Sequence, residues 1–510
     1  MPDKHGYLSI HLRFIPQRQP ENALLRRLNR LSFNKRKPTM FPKLLPLLLL
    51  ATFPFASQAA PAASSPAPLT IASSTSAQPA QTATATHERI LPNGLRVIIK
   101  EDHRAPVAMI MLWYKVGSAD EIAGKTGLSH ALEHIMFKGT QTVPAGEYAR
   151  RISALGGNNN AYTTNEETVY HVNIAAEHLP AVLALEADRM ANLNFSDSVF
   201  TNEMKVIREE RRQRIEDNPQ GLLYEELMHQ AWQKSPNRTS VIGKMADLHT
   251  LTAHDLRQWY KKWYAPNNTT LVIVGDVQPE TVFAQAEQYF GSLKKRAIPA
   301  RQNISEPLSR GKAVQSSIRG NTKQPLITIA YRVPHLTALG EKLPYALDML
   351  TNVLDGHSAA RFSKNLLRGK QIAQNIDVGY SLLARSPQLL GISASPAANV
   401  STGSLKTAIE AEIAQIAEHG ISQDELNRAR TIEQTKAIFA KDSINARASL
   451  IGSLQIAGFS WRNEDEIRRR IQEVSAADIQ AAAKLLTPDR QVYVELLPDE
   501  QAGRAKKKAK

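Results

Sequence analysis

Two strand-like apolar segments recur along this chain at a common offset. Val107-Ala-Met-Ile-Met-Leu-Trp-Tyr reads as a buried strand leading into a helix, and Leu326-Ile-Thr-Ile-Ala-Tyr repeats it ahead of Tyr345-Ala-Leu-Asp-Met-Leu. Thr270-Leu-Val-Ile-Val and Gln491-Val-Tyr-Val-Glu form a second pair. Both pairs are offset by about 220 residues, as expected of two copies of one α/β domain. A chain of 510 residues can bury two such cores. The predicted fold is α+β, with two tandem homologous α/β domains. Each is a mostly antiparallel sheet covered by helices. The first domain is placed at 87–297 and the second at 323–500. The polar, basic stretch 298–322 reads as their connection.

The ends of the chain carry most of its charge. The formal net charge is +15. Residues 1–60 hold ten Lys/Arg against two Asp/Glu, and the tail 501–510 adds five more cations. The intervening body is therefore near neutral, and its charge gives no reason to expect nucleic acid. Met40-Phe-Pro-Lys43 followed by the apolar run Leu44 to Phe55 and by Ser57-Gln58-Ala59 reads as an export signal over 40–60. The run is too short to favour a spanning helix, so no stable membrane span is expected after cleavage. Residues 1–39 form a doubtful N-terminal extension. Residues 61–86 are an Ala/Ser/Pro/Thr linker that composition predicts to be disordered. Cysteine is absent. That excludes a disulfide framework, a thiol nucleophile and any cysteine-liganded metal.

One short segment carries chemistry. His130-Ala-Leu-Glu133-His134 places two imidazoles four residues apart with a carboxylate between them. On a helix His130 and His134 share one face one turn apart, and Glu133 points to the same side. Leu128, Leu132, Ile135 and Met136 fall opposite, while Gly127 and Gly139 stand at the expected helix ends. Neutral imidazoles are zinc ligands, and a catalytic zinc keeps a position open for water. A carboxylate beside that water can take its proton. A third ligand must come from elsewhere. Glu203-Met-Lys-Val-Ile-Arg-Glu209-Glu210-Arg211 is helix-prone, with Glu203 and Glu210 two turns apart on one face.

His-x-x-Glu-His with a Glu 76 residues after His134 resembles the pattern of the pitrilysin/insulinase family of zinc peptidases. Asn93-Gly94-Leu95-Arg96-Val97 resembles that family's first hairpin, and Gly117-Ser118 with Glu121 its segment before the zinc helix. Gly156-Gly157, Asn160-Ala161, Thr163, Thr168 and Tyr170 resemble its substrate strand. Tyr264-Ala-Pro266-Asn267-Asn268 and Val274-Gly275-Asp276 resemble the end of its first domain, so the likeness spans about 87–500. It implies one Zn2+ per chain on His130, His134 and Glu210, with Glu133 as general base. It also implies a supporting role for Glu203. Glu209 is the rival third ligand, about 100° round the helix.

The resemblance further implies an endopeptidase that cleaves peptides or unfolded segments in an enclosed chamber. The substrate would pair with the strand that holds Asn160 and Ala161. Many members carry an Arg in the second half followed by a Tyr, and that pair helps bind substrate. Arg368 fits the first, but Gln374 stands where the Tyr is expected, and Tyr380 is out of register. The half-length chain resembles the mitochondrial processing peptidase and small bacterial members, whose chain is half of a clamshell. A second subunit is therefore expected. A non-identical partner lacking the zinc motif is favoured over a homodimer. With the signal, the resemblance suggests the periplasm of a Gram-negative bacterium, or secretion. The alternative function is a non-catalytic or partner-dependent subunit of a heterodimeric assembly.

Overall fold

The computed structural model describes residues 85–301 and 306–499, so the expectations for 1–60, most of the linker and the basic tail fall outside the described residues. The strands form two sheets. The first runs β1-β2-β6-β3-β5-β4, from β1 (Thr86–Ile90), β2 (Arg96–Glu101), β3 (Val107–Tyr114), β4 (Asn158–Thr163), β5 (Thr168–Ala175) and β6 (Thr269–Gly275). The second runs β7-β11-β8-β10-β9, from β7 (Val314–Gly320), β8 (Leu326–Val333), β9 (Ala373–Gly379), β10 (Gln388–Pro396) and β11 (Gln491–Pro498). Without β1 the two orders coincide. In each sheet one pair is parallel, β2 with β6 and β7 with β11, and the other pairs are antiparallel. The duplication expected from the recurring apolar segments is therefore a duplication of topology.

Strand β3 explains why those segments are apolar throughout. Ala108, Ile110, Leu112 and Tyr114 face the core formed with the first domain's own helices. Met109, Met111 and Trp113 face the opposite way, onto Ala448, Ile451 and Ile456. Successive side chains of a strand point to opposite faces, so a strand covered on both sides cannot alternate with polar residues. Strand β11 repeats the arrangement, with Tyr493 in one core and Val492, Val494 and Leu496 in another.

The second layer on each sheet is exchanged between the domains. Four helices build the exchange and the site: α1 (Leu128–Ile135), α2 (Asp197–Arg211), α3 (Pro219–Ala231) and α4 (Ile444–Ile456). Helix α4 belongs to the second half of the chain and covers the outer face of the first sheet. Helix α3 belongs to the first half and lays Leu223, Leu227, Met228 and Ala231 on Ala330, Leu389, Val492, Val494 and Leu496 of the second sheet. Gly452 is the point of closest approach in the first exchange: a Cβ there would lie 1.9 Å from Trp113 Cε2. Gly452→Ala is therefore expected to cost about 1–3 kcal/mol by overpacking. The urea midpoint should fall accordingly, and an unchanged midpoint would contradict this packing.

Strand β7 begins inside the stretch read as a connection. Its sequence Val-Gln-Ser-Ser-Ile-Arg-Gly is polar because it is an edge strand and none of its residues is fully buried. Its assignment rests on pairing with β11, which no local pattern announces. None of the described helices is long and apolar enough to cross a membrane.

Candidate metal centre

Helix α1 starts at Gly127, whose φ of 90° is in the left-handed region open to glycine. Its first turn is held by Glu121, whose two oxygens accept the N–H groups of Gly127 and Ser129, each at 2.7 Å. An acidic group at a helix N-terminus satisfies donors that otherwise have no intrahelical partner. Leu128, Leu132, Ile135 and Met136 are buried in the first-domain core, so the apolar face lies where the periodicity put it. That packing leaves His130 and His134 to face α2, while Glu133 meets Thr163 of β4.

The centre forms where α1 meets α2. One ligand-type atom each from His130, His134 and Glu210 lies within 4.8 Å of the others. Glu210 Oε2 is 3.2 Å from His134 Nε2 and 3.8 Å from His130 Nε2. His134 Nε2 and Glu210 Oε2 are both buried, yet they make no hydrogen bond. Atoms aimed at a common point, rather than at each other, leave this signature. Ligands about 2.1 Å from a tetrahedral zinc lie about 3.4 Å apart, and the two separations bracket that value. Two imidazoles and one carboxylate are also a donor set that zinc accepts. The residues present therefore fit the metal.

His134 and Glu210 are each fixed by a neighbour, whereas the buried His130 Nδ1 has no hydrogen-bond partner among the described residues. Glu203 Oε1 accepts the Nδ1–H of His134 at 2.9 Å, which in the neutral ring leaves Nε2 with its lone pair free. The other Glu203 oxygen is held by Lys138 at 2.6 Å. Glu210 Oε1 is held by Arg214 at 2.8 Å. Arg214 lies in the π-helical turn Arg212–Glu216 that continues α2. Such turns are frequent at functional sites. Gly221 of α3 permits that turn, since a Cβ there would lie 2.0 Å from the Arg214 carbonyl oxygen. Thr163, the last residue of β4, donates its hydroxyl to Glu133 Oε2 at 2.5 Å.

The electrostatics separate the groups by role. Burial, with the His134 charge, pushes the His130 imidazolium down to about 3, so this ring is neutral at pH 7. Burial also pushes His134 down, but the Glu203 and Glu210 carboxylates outweigh it and carry the ring up to about 9. Burial raises Glu210, and the two imidazoles and Arg214 override it, taking the carboxyl down to about 2. These shifts pair a protonated His134 with the Glu210 carboxylate, and metal binding would release that proton so that Nε2 can serve as a ligand. Burial raises Glu133 above the usual carboxylate range, against the Thr163 hydrogen bond. A carboxylate with a raised pKa is a better proton acceptor near neutral pH.

The remaining expected site residues are more dispersed. Glu209 is exposed and pairs with Arg212 at 2.9 Å, away from the centre. Asn160 and Ala161 lie on β4, the terminal strand of its sheet, which pairs on one side with β5. Arg368 is exposed on the π-helix Phe362–Gly369 and donates to the Ser358 carbonyl. No hydrogen bond or ion pair among the described residues joins it to the centre. Gln374 is exposed, and Tyr380 is committed to the Pro334 carbonyl at 2.7 Å. Sequence reading did not single out Lys138 or Arg214. Each stands four residues after a proposed ligand, His134 or Glu210, and that spacing is the one available signal.

Glu203→Ala is expected to weaken zinc binding by about 10–100-fold, because it frees the His134 ring and leaves Lys138 unpaired. Competition with a chromophoric chelator measures this, and an unchanged affinity would contradict the role given to Glu203.

Residues 96–244 match the family model for insulinase, peptidase family M16, and residues 250–433 match the model for the peptidase M16 inactive domain. The chain is 28% identical over 411 residues to the zinc protease PqqE of Helicobacter pylori, covering 79% of this chain and 91% of that protein. It is 28% identical over 389 residues to an uncharacterized zinc protease of Rickettsia bellii, covering 76% and 92%. The crystal structure of a protease from Helicobacter pylori superposes with a TM-score of 0.77 at 26% identity, covering 81% of this chain and all of that one. The periplasmic protease PqqL of Escherichia coli shares the fold, with a TM-score of 0.69 at 21% identity, and this chain covers 48% of it. Two consecutive family models, the full-length relatives and the two-domain fold place the chain in the insulinase family of peptidases, peptidase family M16.

Proposed function

We propose that this protein is a zinc-dependent endopeptidase in which His130, His134 and Glu210 hold one zinc ion per chain and Glu133 is the general base. The observation that carries the reading is the convergence of buried, unbonded ligand atoms on His134 and Glu210 beside His130. When bound, zinc supplies Lewis acidity, which lowers the pKa of water and polarises the scissile carbonyl. Glu133 takes the proton of the attacking water on its carboxylate and passes it to the leaving amine. The Thr163 hydroxyl fixes the orientation of that carboxylate. Glu203 holds His134 in the tautomer that presents Nε2.

Substrate binds as an added strand on β4, whose outer edge has no strand partner among the described residues. Main-chain bonds to the Asn160–Ala161 region give affinity there, and pockets between side chains give selectivity. The exposed Gln374 and the engaged Tyr380 support a chamber completed by a second subunit that brings its own Arg/Tyr pair. A longer structural neighbour of about twice this chain's span is consistent with paired halves. That neighbour is described as periplasmic, which agrees with the export signal read over 40–60. In the alternative, a non-catalytic subunit, the intact set of Glu133 and three ligands has no task.

Removing zinc with a chelator is expected to abolish cleavage of unfolded peptides, and one equivalent of zinc per chain should restore it. Activity that survives complete removal of the metal would overturn the reading.

A further inference from the structure

The second domain contributes no ligand to the centre, yet one of its loops is bonded to the segments that hold Glu133 and α1. Arg385 and Ser386 lie between β9 and β10. The Arg385 N–H donates to the two oxygens of Glu166 at 2.9 and 2.8 Å, and the Ser386 hydroxyl donates to Oε1 at 3.1 Å. The Arg385 guanidinium pairs with Asp120 at 3.0 Å, and that carboxylate's side chain is 5% exposed.

Both carboxylates sit beside catalytic parts. Glu166 belongs to the tight turn after β4, closed by Thr164 N–H on the Glu167 carbonyl at 2.8 Å. The residue before this turn is Thr163, whose hydroxyl holds Glu133. Asp120 accepts the Gly117 N–H at 3.0 Å, and the next residue, Glu121, caps α1. The two segments are also tied together, with Ser118 N–H on the Thr164 carbonyl at 3.1 Å and Ala119 N–H on the Asn165 carbonyl at 2.8 Å. Strand β4 has a strand neighbour on one side. Its end is held by the pairing of Thr163 with Thr168 of β5 and by what anchors the turn between them.

We infer that the β9–β10 loop of the second domain is a positioning element for the general base, acting from Arg385 and Ser386 through Glu166 and the Thr164–Glu167 turn to Thr163 and Glu133. The inference rests on the reading of Glu133 as the base. It gives the domain without a zinc motif a role in turnover. A displacement of about 1 Å in a catalytic group can cost up to about 100-fold in rate, so a tether at this distance from the chemistry can act on kcat without touching substrate.

The test is a double-mutant cycle in the full chain, with zinc content measured for every variant. Glu166→Ala and Thr163→Val are each expected to lower kcat by about tenfold while KM and zinc content stay within about twofold. The double variant should be no slower than Thr163→Val alone, because both act on one path. Glu166→Gln keeps an acceptor for the loop and is expected to recover most of kcat. It also serves as the second probe should the alanine variant fold poorly. Losses that multiply in the double variant, or full kcat in Glu166→Ala, would overturn the inference. The underlying reading is tested apart from it: a fully active Glu133→Gln would remove the base itself. An inactive Glu133→Gln beside a fully active Glu166→Ala would sink only the tether.

Discussion

Glu133→Gln is expected to leave zinc bound and to lower kcat by about 10²–10⁴-fold, the range for loss of a positioned general base. The amide is nearly isosteric, and it can still accept the Thr163 hydroxyl bond at Oε2's position. It cannot take up a proton. Because Glu133 is not among the three converging groups, the metal content should not change. A variant that loses both metal and activity would instead make Glu133 part of the binding set. A variant with ordinary turnover would remove it from the chemistry.

His134→Ala is expected to empty the centre, with zinc falling from one per chain to below about 0.1, since only two protein ligands remain of the three a catalytic zinc needs. The change also leaves Glu203 with Lys138 alone and strips Glu210 Oε2 of its nearest imidazole. Activity should fall to background. Zinc added to the wild-type protein should raise its melting temperature, because a ligand that binds only the native state stabilises it in proportion to the logarithm of its concentration. The same addition should not shift the variant. Metal analysis after gel filtration reads the first effect and a melting curve reads the second.

The sequence made some parts of this molecule legible and hid others for physical reasons. The two domains were visible because β3 and its counterparts are covered on both faces and so spell continuous apolar runs. The exchange of α3 and α4 was not visible. An apolar helix does not say which sheet it covers, and Ile451 and Leu454 of α4 in fact enter different cores. Strand β7 escaped because its alternation is weak: of its half-buried positions only Val314 and Ile318 carry large apolar side chains.

The centre divides in the same way. His130, Glu133 and His134 were legible as a group because helix geometry turns a four-residue spacing into one face. Glu210 lies far along the chain and came from family resemblance. The helical phase of α2 then separates it from Glu209, which points to solvent and Arg212. Glu203 was anticipated as a supporting group and meets the His134 ring. Thr163 was singled out only as part of the substrate strand, not as a partner of Glu133. A threonine, a lysine and an arginine in such supporting roles look like any others until the fold brings them together. Arg368 is turned onto a local carbonyl.

The most direct test is hydrolysis of a mixed library of short, internally quenched peptides by the wild-type protein and by Glu133→Gln at matched zinc content. The account predicts cleavage by the wild type that a chelator abolishes, with none above background from the variant. Equal cleavage by the two proteins would contradict it.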